Sequence, residues 1–229
     1  MRRIERPRSL TATVVARLRQ SIVQGDLALG QALSERQLAE HLGVSKTPVR
    51  EALTQLKHEG LVQIIPQRGA EVFTLSAREV INMCELRLTL EAAALKLAWQ
   101  RHPNDVVRAL RNVVAKMEAA RLARNMRGYL DADTAYHEVF FEACGNPLLA
   151  QSYGNYLGKI AALRTHLSVK PFHTERSFEE HRDILACLET GKIDEALQIL
   201  ERHIDRSKTT YSETVEDIAA ADQRQKAAE

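Results

Sequence analysis

The chain has 229 residues, of which 45% are hydrophobic and 27% charged, a composition typical of a globular protein long enough for two small domains. No apolar run approaches the roughly 20 residues that cross a membrane, and the basic N-terminus lacks the apolar core of a secretory signal. The three cysteines lie in helix-like patterns and indicate buried thiols in a reducing compartment rather than a disulfide framework. Length and composition therefore predict a cytoplasmic protein without a membrane partner.

The charge is unevenly distributed along the chain. Residues 1–76 carry 11 basic and 7 acidic side chains, a net charge of +4, whereas the remainder carries 21 basic and 23 acidic side chains, a net charge of −2. A basic head on a mildly acidic body favours a polyanion-binding module joined to a second unit.

Residues 1–75 are predicted to form a winged helix-turn-helix. Three helical patterns, "TATVVARLRQSIVQG", "LSERQLAEHLG" and "VSKTPVREALTQLKHEG", each end at a glycine, and the last two begin at the N-cap candidates Ser34 and Ser45. The segments "LVQII" and "AEVFT" then flank "PQRG", which is typical of a β-hairpin. Helices joined by a tight turn and followed by a hairpin describe this DNA-binding fold.

Residues 76–229 are predicted to form an all-α bundle of six to seven helices. The strand signals end here, and helical periodicity is interrupted by capping, proline and glycine signals. The predicted helices begin near Ser76, Pro103, Met126, Pro147, Glu175 and Ile193. The polar tail after about residue 212 is expected to fray.

The start of the third helix carries the candidate DNA contacts. In a helix-turn-helix, the first residues of the second motif helix face base edges in the major groove. The outward side chains there are Ser45, Lys46, Thr47 and Arg50, with Arg36 on the same surface and Arg68 at the tip of the wing. The alternative is a solvated basic face on an ordinary helical hairpin.

The bundle carries four polar side chains on apolar helix faces. Asp133 and His137 are four residues apart, and His181 and His203 follow the apolar stripes of two later helices. One buried histidine is more often a hydrogen-bonded core residue, but a divalent cation would satisfy all four side chains at once. Zinc is the first choice, with nickel, manganese or iron as alternatives.

The segment "LSERQLAEHLGVSKTPVREALTQLKHEGLVQIIPQRGAEV" resembles the N-terminal domain of GntR-family transcription regulators. The resemblance places Arg36, Lys46, Thr47, Arg50 and the wing residue Gly69 at the family's DNA-contacting positions. Many relatives have arginine where this chain has Lys46. Because lysine lacks the planar fork of arginine, contacts with guanine and with phosphate both stay open at this position.

The body resembles the FCD ligand-binding domain of the FadR subfamily, through "DADTAYHEVFFEACGNPLL", "EEHRDILACLETGKIDEAL" and "LERHI". The resemblance implies metal binding by an Asp-x3-His pair and two later histidines, here Asp133, His137, His181 and His203. It also implies that Arg87 lies near the effector, the alternative being a surface pair with Glu91. Further candidate effector contacts are Arg164 and, more weakly, Asn155 and Tyr156.

These observations predict a metabolite-responsive transcription factor, a repressor that binds a short palindromic operator as a homodimer. A small organic acid would bind beside the metal. One rival is a metal-dependent enzyme using the same three histidines and aspartate. It is disfavoured because no inward Glu, Tyr or Lys near the ligands offers an obvious general base, and because it leaves the DNA-binding head unexplained. The other rival is a metal-free dimerisation module.

Overall fold

The computed structural model describes residues 9–65, 69–167 and 173–228. The chain divides into two compact units, residues 1–74 and residues 75–229. Within the described residues, none of the helices has an apolar stretch long enough to cross a membrane.

The first unit contains three helices and a three-stranded antiparallel sheet. The elements are α1 (Leu10–Val23), β1 (Ala32–Leu33), α2 (Glu35–Leu42), α3 (Lys46–His58), β2 (Val62–Ile65) and β3 (Gly69–Val72). The strand order is β1-β3-β2. The predicted hairpin is β2 and β3, which pair from Val62 opposite Val72 to Ile65 opposite Gly69. The additional strand β1 was not predicted; it pairs with the other edge of β3.

The core of this unit lies between α1 and α3. Val15, Leu18 and Ile22 on α1 are buried, as are Val49, Leu53 and Leu56 on α3, and the two helices pack together. The turn between α2 and α3 depends on Gly43, whose φ of 65° lies in the left-handed region that glycine adopts without a Cβ penalty. The winged helix-turn-helix prediction is confirmed.

The second unit is all helical in its described residues. Its helices are α4 (Ala77–Arg101), α5 (Pro103–Leu122), α6 (Met126–Ala143), α7 (Pro147–Leu167), α8 (His173–Glu189) and α9 (Ile193–Ala228). A capping box of Ser76 and Glu79 begins α4, because each side chain accepts a backbone hydrogen bond from the other residue. Fraying was expected after about residue 212, whereas the structure continues α9 to Ala228.

The interior of the bundle is not uniformly apolar. Helix α4 packs against α6 and α9, α8 packs against α9, and α5 covers α6 and α8. The facing sides bury histidines and charged side chains from every helix of the bundle except α5, namely Arg87, Glu91, Asp133, His137, Arg164, His173, Glu180, His181 and His203. Buried charges persist only where they are paired or bind a ligand, so this layer is the candidate site.

Candidate metal centre and DNA-reading surface

The predicted DNA contacts that lie in the described part of the first unit are exposed. Ser45, Lys46, Thr47 and Arg50 are exposed at the start of α3, whereas their neighbours Pro48 and Val49 are buried. Ser45 is the N-cap residue of α3, but its side chain makes no capping hydrogen bond. Arg36 is exposed on α2, and Gly69 begins β3 with a φ of 91°. Arg68, the predicted wing tip, lies outside the described residues.

Arg50 is held by a carboxylate on the preceding helix. Its Nη2 lies 2.9 Å from Oε2 of Glu35 and its Nε lies 3.1 Å from Oε1, so the guanidinium fork faces the carboxylate with two nitrogens. The hydrogen bonds from Arg50 lower the pKa of Glu35. Sequence reasoning did not identify Glu35, which orients the arginine that the resemblance places against DNA.

In the second unit, three of the four predicted metal ligands converge. His137 on α6, His181 on α8 and His203 on α9 are buried, and one ring nitrogen from each lies within 4.8 Å of the others. The Nε2 atoms of His137 and His181 are 3.2 Å apart. Two nitrogens bound to one zinc ion at about 2.0–2.1 Å are separated by about 3.0–3.4 Å, so this spacing fits a shared cation.

Burial keeps the three imidazoles neutral. Loss of hydration lowers the pKa of His181 to about 3, and it lowers the pKa of His137 and of His203. Metal coordination requires an unprotonated ring nitrogen, so the cluster is in the state that a cation needs at neutral pH.

A buried carboxylate lies beside Nδ1 of two of the rings. Oε2 of Glu91 lies 2.8 Å from Nδ1 of His137, and Oε2 of Glu180 lies 2.9 Å from Nδ1 of His203. Oε2 of Glu91 makes no hydrogen bond with the described residues, whereas Nδ1 of His203 is hydrogen-bonded to Oε2 of Glu180. A Nδ1–H that donates to Glu180 leaves Nε2 of His203 as the free ligand atom, which is the arrangement common at protein metal sites. In contrast, Nδ1 of His181 has no hydrogen-bond partner among the described residues.

Sequence reasoning missed these carboxylates. No inward Glu or Tyr was expected to offer an obvious general base near the ligands, but Glu91 is fully buried beside His137. The Tyr136 hydroxyl is also close and donates to the backbone oxygen of His181. The signal was available for Glu91, because it continues the buried stripe of Cys84 and Arg87 on α4.

Asp133 lies at the edge of the cluster and faces Arg164. Nε of Arg164 is 2.7 Å from Oδ2 of Asp133, and both side chains are buried. Oδ1 of the carboxylate is 3.7 Å from Nδ1 of His181. Burial raises the pKa of Asp133, but Arg164 together with the three nearby histidines outweighs that effect and holds the pKa well below its usual range. Asp133 is therefore an anion paired with an arginine, within reach of the histidine cluster.

Arg87 is paired with Glu91, but in the core rather than on the surface. Nε of Arg87 lies 2.6 Å from Oε1 of Glu91, and the two side chains are 2% and 0% exposed. Nη2 of Arg87 also lies 2.9 Å from Nε2 of His137. The surface-pair alternative considered from the sequence was wrong, because the pair is buried against a predicted ligand.

A small cavity borders this layer. It has a volume of about 10 Å³ and is lined by residues of α6 to α9, including Asp133, Arg164 and His203. Such a volume accommodates one water molecule at most. Asn155 and Tyr156 are exposed on α7 and line neither this cavity nor the histidine cluster, so the structure does not bring them to the site.

Comparison with known protein families identifies the family to which this chain belongs. The FCD domain matches residues 82–206, more than half of the chain, and the gntR family of bacterial regulatory proteins matches residues 10–72. The chain belongs to the GntR family of regulators with an FCD domain. Members of this family bind DNA operators and are transcriptional regulators rather than enzymes, so the enzyme alternative is excluded for this GntR–FCD regulator.

Similar proteins span most of this regulator. The HTH-type transcriptional repressor NanR of Klebsiella aerogenes is 27% identical over 225 residues, covering 89% of this chain and 86% of the repressor. A GntR transcriptional regulator from Rhodococcus sp. RHA1 has the same fold, with a TM-score of 0.79, 19% identity, and 89% and 97% of the two chains covered. The metal-free FCD domain of TM0439 aligns with a TM-score of 0.57 and 17% identity, covering 63% of this chain and 99% of that domain.

Proposed function

We propose that this GntR–FCD regulator is a repressor whose helical domain holds a divalent cation, with zinc as the first choice, and senses a small carboxylate there. The convergence of three buried, neutral histidine rings carries this proposal. Nickel, manganese and iron are compatible with the same donors. The cation would supply a Lewis-acidic position for a carboxylate oxygen.

The residues of this chain define how a carboxylate would be recognised. Arg87 and Arg164 are buried beside the histidines, and an arginine fork pairs with a carboxylate through two parallel hydrogen bonds. Both arginines already have carboxylate partners, in Glu91 and Asp133. Because the adjoining cavity holds one water at most, an effector has to displace part of this network. The pair of Asp133 on α6 and Arg164 on α7 is the part that lines the cavity.

We further propose that the regulator acts as a homodimer on a short palindrome. Two recognition helices related by a two-fold axis would reach major grooves about 34–36 Å apart. Exchange of the Asp133–Arg164 pair for an effector–Arg164 pair would alter the packing of α6 against α7. A coupling of about 1–3 kcal/mol between effector and operator is typical and changes operator occupancy appreciably.

A thermal-shift screen tests effector binding. Mono-, di- and tricarboxylates are added to the zinc-loaded chain, with the corresponding amides as uncharged controls. At about 100 times its Kd, a ligand of the folded state adds about 2.7 kcal/mol, which raises the Tm by about 5–10 °C for a chain of this size. We expect at least one carboxylate to raise the Tm and to change operator affinity. If every carboxylate behaves like its amide, the effector proposal is wrong.

Glu180→Gln tests how the metal is held. In the wild-type chain, the Glu180 carboxylate contacts His203 and accepts two hydrogen bonds from Arg206. These hydrogen bonds outweigh the effect of burial and lower the pKa of Glu180 to about 2. An amide in its place weakens the orientation of His203, so metal affinity should fall by about 10- to 100-fold in competition with a chromogenic chelator. Glu179→Gln, an exposed change one residue away, is the matched control. Equal affinities of the two variants would show that Glu180 does not support the site.

A further inference from the structure

A larger cavity opens on the surface outside the small inner one. Its volume is about 370 Å³, and its lining includes Arg121, Arg124, Tyr129, Thr174 and Glu175. Tyr129 and Thr174 also line the inner cavity beside Asp133 and Arg164. The Tyr129 hydroxyl donates a hydrogen bond of 2.8 Å to the backbone oxygen of Thr174, joining α6 to α8. Tyr129 and Thr174 therefore lie between the outer cavity and the inner cavity beside the candidate site.

The backbone at the rim of the outer cavity is strained in a way that favours a functional residue. Helix α5 ends in a Schellman motif, in which the N–H of Asn125 donates to Ala120 and the N–H of Arg124 donates to Arg121. Arg124 has a φ of 52°, the position where this motif normally has glycine. In the described residues, the left-handed positions just after other helix ends are glycines, at Gly25, Gly43, Gly60, Gly145 and Gly191.

The two arginines of the outer cavity differ in their contacts. Arg121 is held in place, with its guanidinium 4.6 Å from the Phe178 ring centroid and its Nη2 3.7 Å from the carboxylate of Glu175. Arg124 is exposed and has no ion pair among the described residues. With one carboxylate against two guanidinium groups, the cavity carries a net positive charge, which attracts anions.

We propose that this outer cavity is the entrance through which an anionic effector reaches the histidine cluster. Arg124 and Arg121 attract the carboxylate, and the hydrogen bond from Tyr129 to Thr174 is the barrier that opens to admit it. This inference rests on the proposed function. It explains why arginine stands at a backbone position that strains every residue with a Cβ.

Removal of a bound metal by chelators measures passage through this entrance. The full chain is loaded with Co²⁺, whose absorption reports the ion, and is mixed with pyridine-2,6-dicarboxylate, an anion, or with 1,10-phenanthroline, which is neutral. The rate of removal should rise with the concentration of either chelator. The anion should also be slowed by salt, because screening weakens attraction over about 10 Å at 0.1 M ionic strength.

Variants separate the charge from the barrier. Arg124→Gly should slow removal by the dicarboxylate about threefold at low salt and leave removal by phenanthroline unchanged, while raising the Tm because the strain is relieved. Arg108→Ala removes an exposed arginine roughly 24 Å away along α5 and should alter neither rate. Tyr129→Phe removes the hydrogen bond to Thr174 and should accelerate both chelators.

The outcomes distinguish the entrance from the metal site. If the wild-type chain binds no Co²⁺, the proposed function fails and the entrance fails with it. If Co²⁺ binds but Arg124→Gly and Arg108→Ala give equal dicarboxylate rates, the metal site stands and the entrance is refuted. Rates independent of chelator concentration, or unchanged by Tyr129→Phe, would likewise overturn the proposed route.

Discussion

Replacing His181 by alanine should remove stoichiometric metal from the chain and abolish the stabilisation that metal provides. His181 lies on α8 next to both His137 and His203, with centroid separations of 5.1 and 4.7 Å. At metal concentrations about 100 times the Kd, the wild-type chain gains about 2.7 kcal/mol, or about 5–10 °C in Tm. The variant should show no such gain. Elemental analysis and melting curves with and without added zinc provide the measurement.

Ile184→Ala is the control for lost packing. Ile184 is fully buried one turn further along α8. Truncating it should cost about 2–5 kcal/mol through the cavity that it leaves, but the zinc-dependent increase in Tm should persist. A His181→Ala chain that keeps one metal per chain would show that the ligand assignment is wrong.

The second large effect is expected at the DNA surface. Arg50→Ala removes a guanidinium fork that can pair with guanine O6 and N7, and affinity for an operator selected from a random library should fall by about 10- to 100-fold. Fluorescence anisotropy at fixed salt measures the change. Because Arg50 is exposed and its ion pair in the described part of the chain is with the partly exposed Glu35, the fold and metal content should not change.

Arg17→Ala removes the same charge from an exposed position on α1, outside the two motif helices, and should change the affinity far less than Arg50→Ala does. Wild-type affinity should also fall steeply as salt rises, since phosphate contacts release counterions from DNA. Equal losses in the two variants would indicate that the helix contributes only general positive charge and does not read bases.

The helices were predictable because their information is local. Stripes such as Val15, Leu18 and Ile22 repeat with the helical period, and capping residues such as Ser76 occur where helices begin. Strand β1 was missed because two residues, Ala32 and Leu33, offer no alternation to recognise. That strand forms because it pairs with β3, which is nearly 40 residues away in the sequence. Local strand propensity does not indicate such a distant pairing.

The sequence predicted which helix faces carry the site residues, but it did not predict which side chains contact one another. Helical phase placed His137, His181 and His203 in the interior, where the structure has them. Helical phase does not show which helix packs against a given face. The ion pair of Asp133 with Arg164 on α7 was therefore not predicted. Asn155 was nominated without such a phase argument, and it is exposed.

Anomalous diffraction from crystals of the zinc-loaded chain, recorded at the zinc edge, tests the central claim most directly. The account predicts one strong peak per chain, about 2.0–2.1 Å from a ring nitrogen of each of His137, His181 and His203. It is contradicted if the peak is absent, or lies elsewhere, while Nε2 of His137 and Nε2 of His181 remain within hydrogen-bond distance of each other.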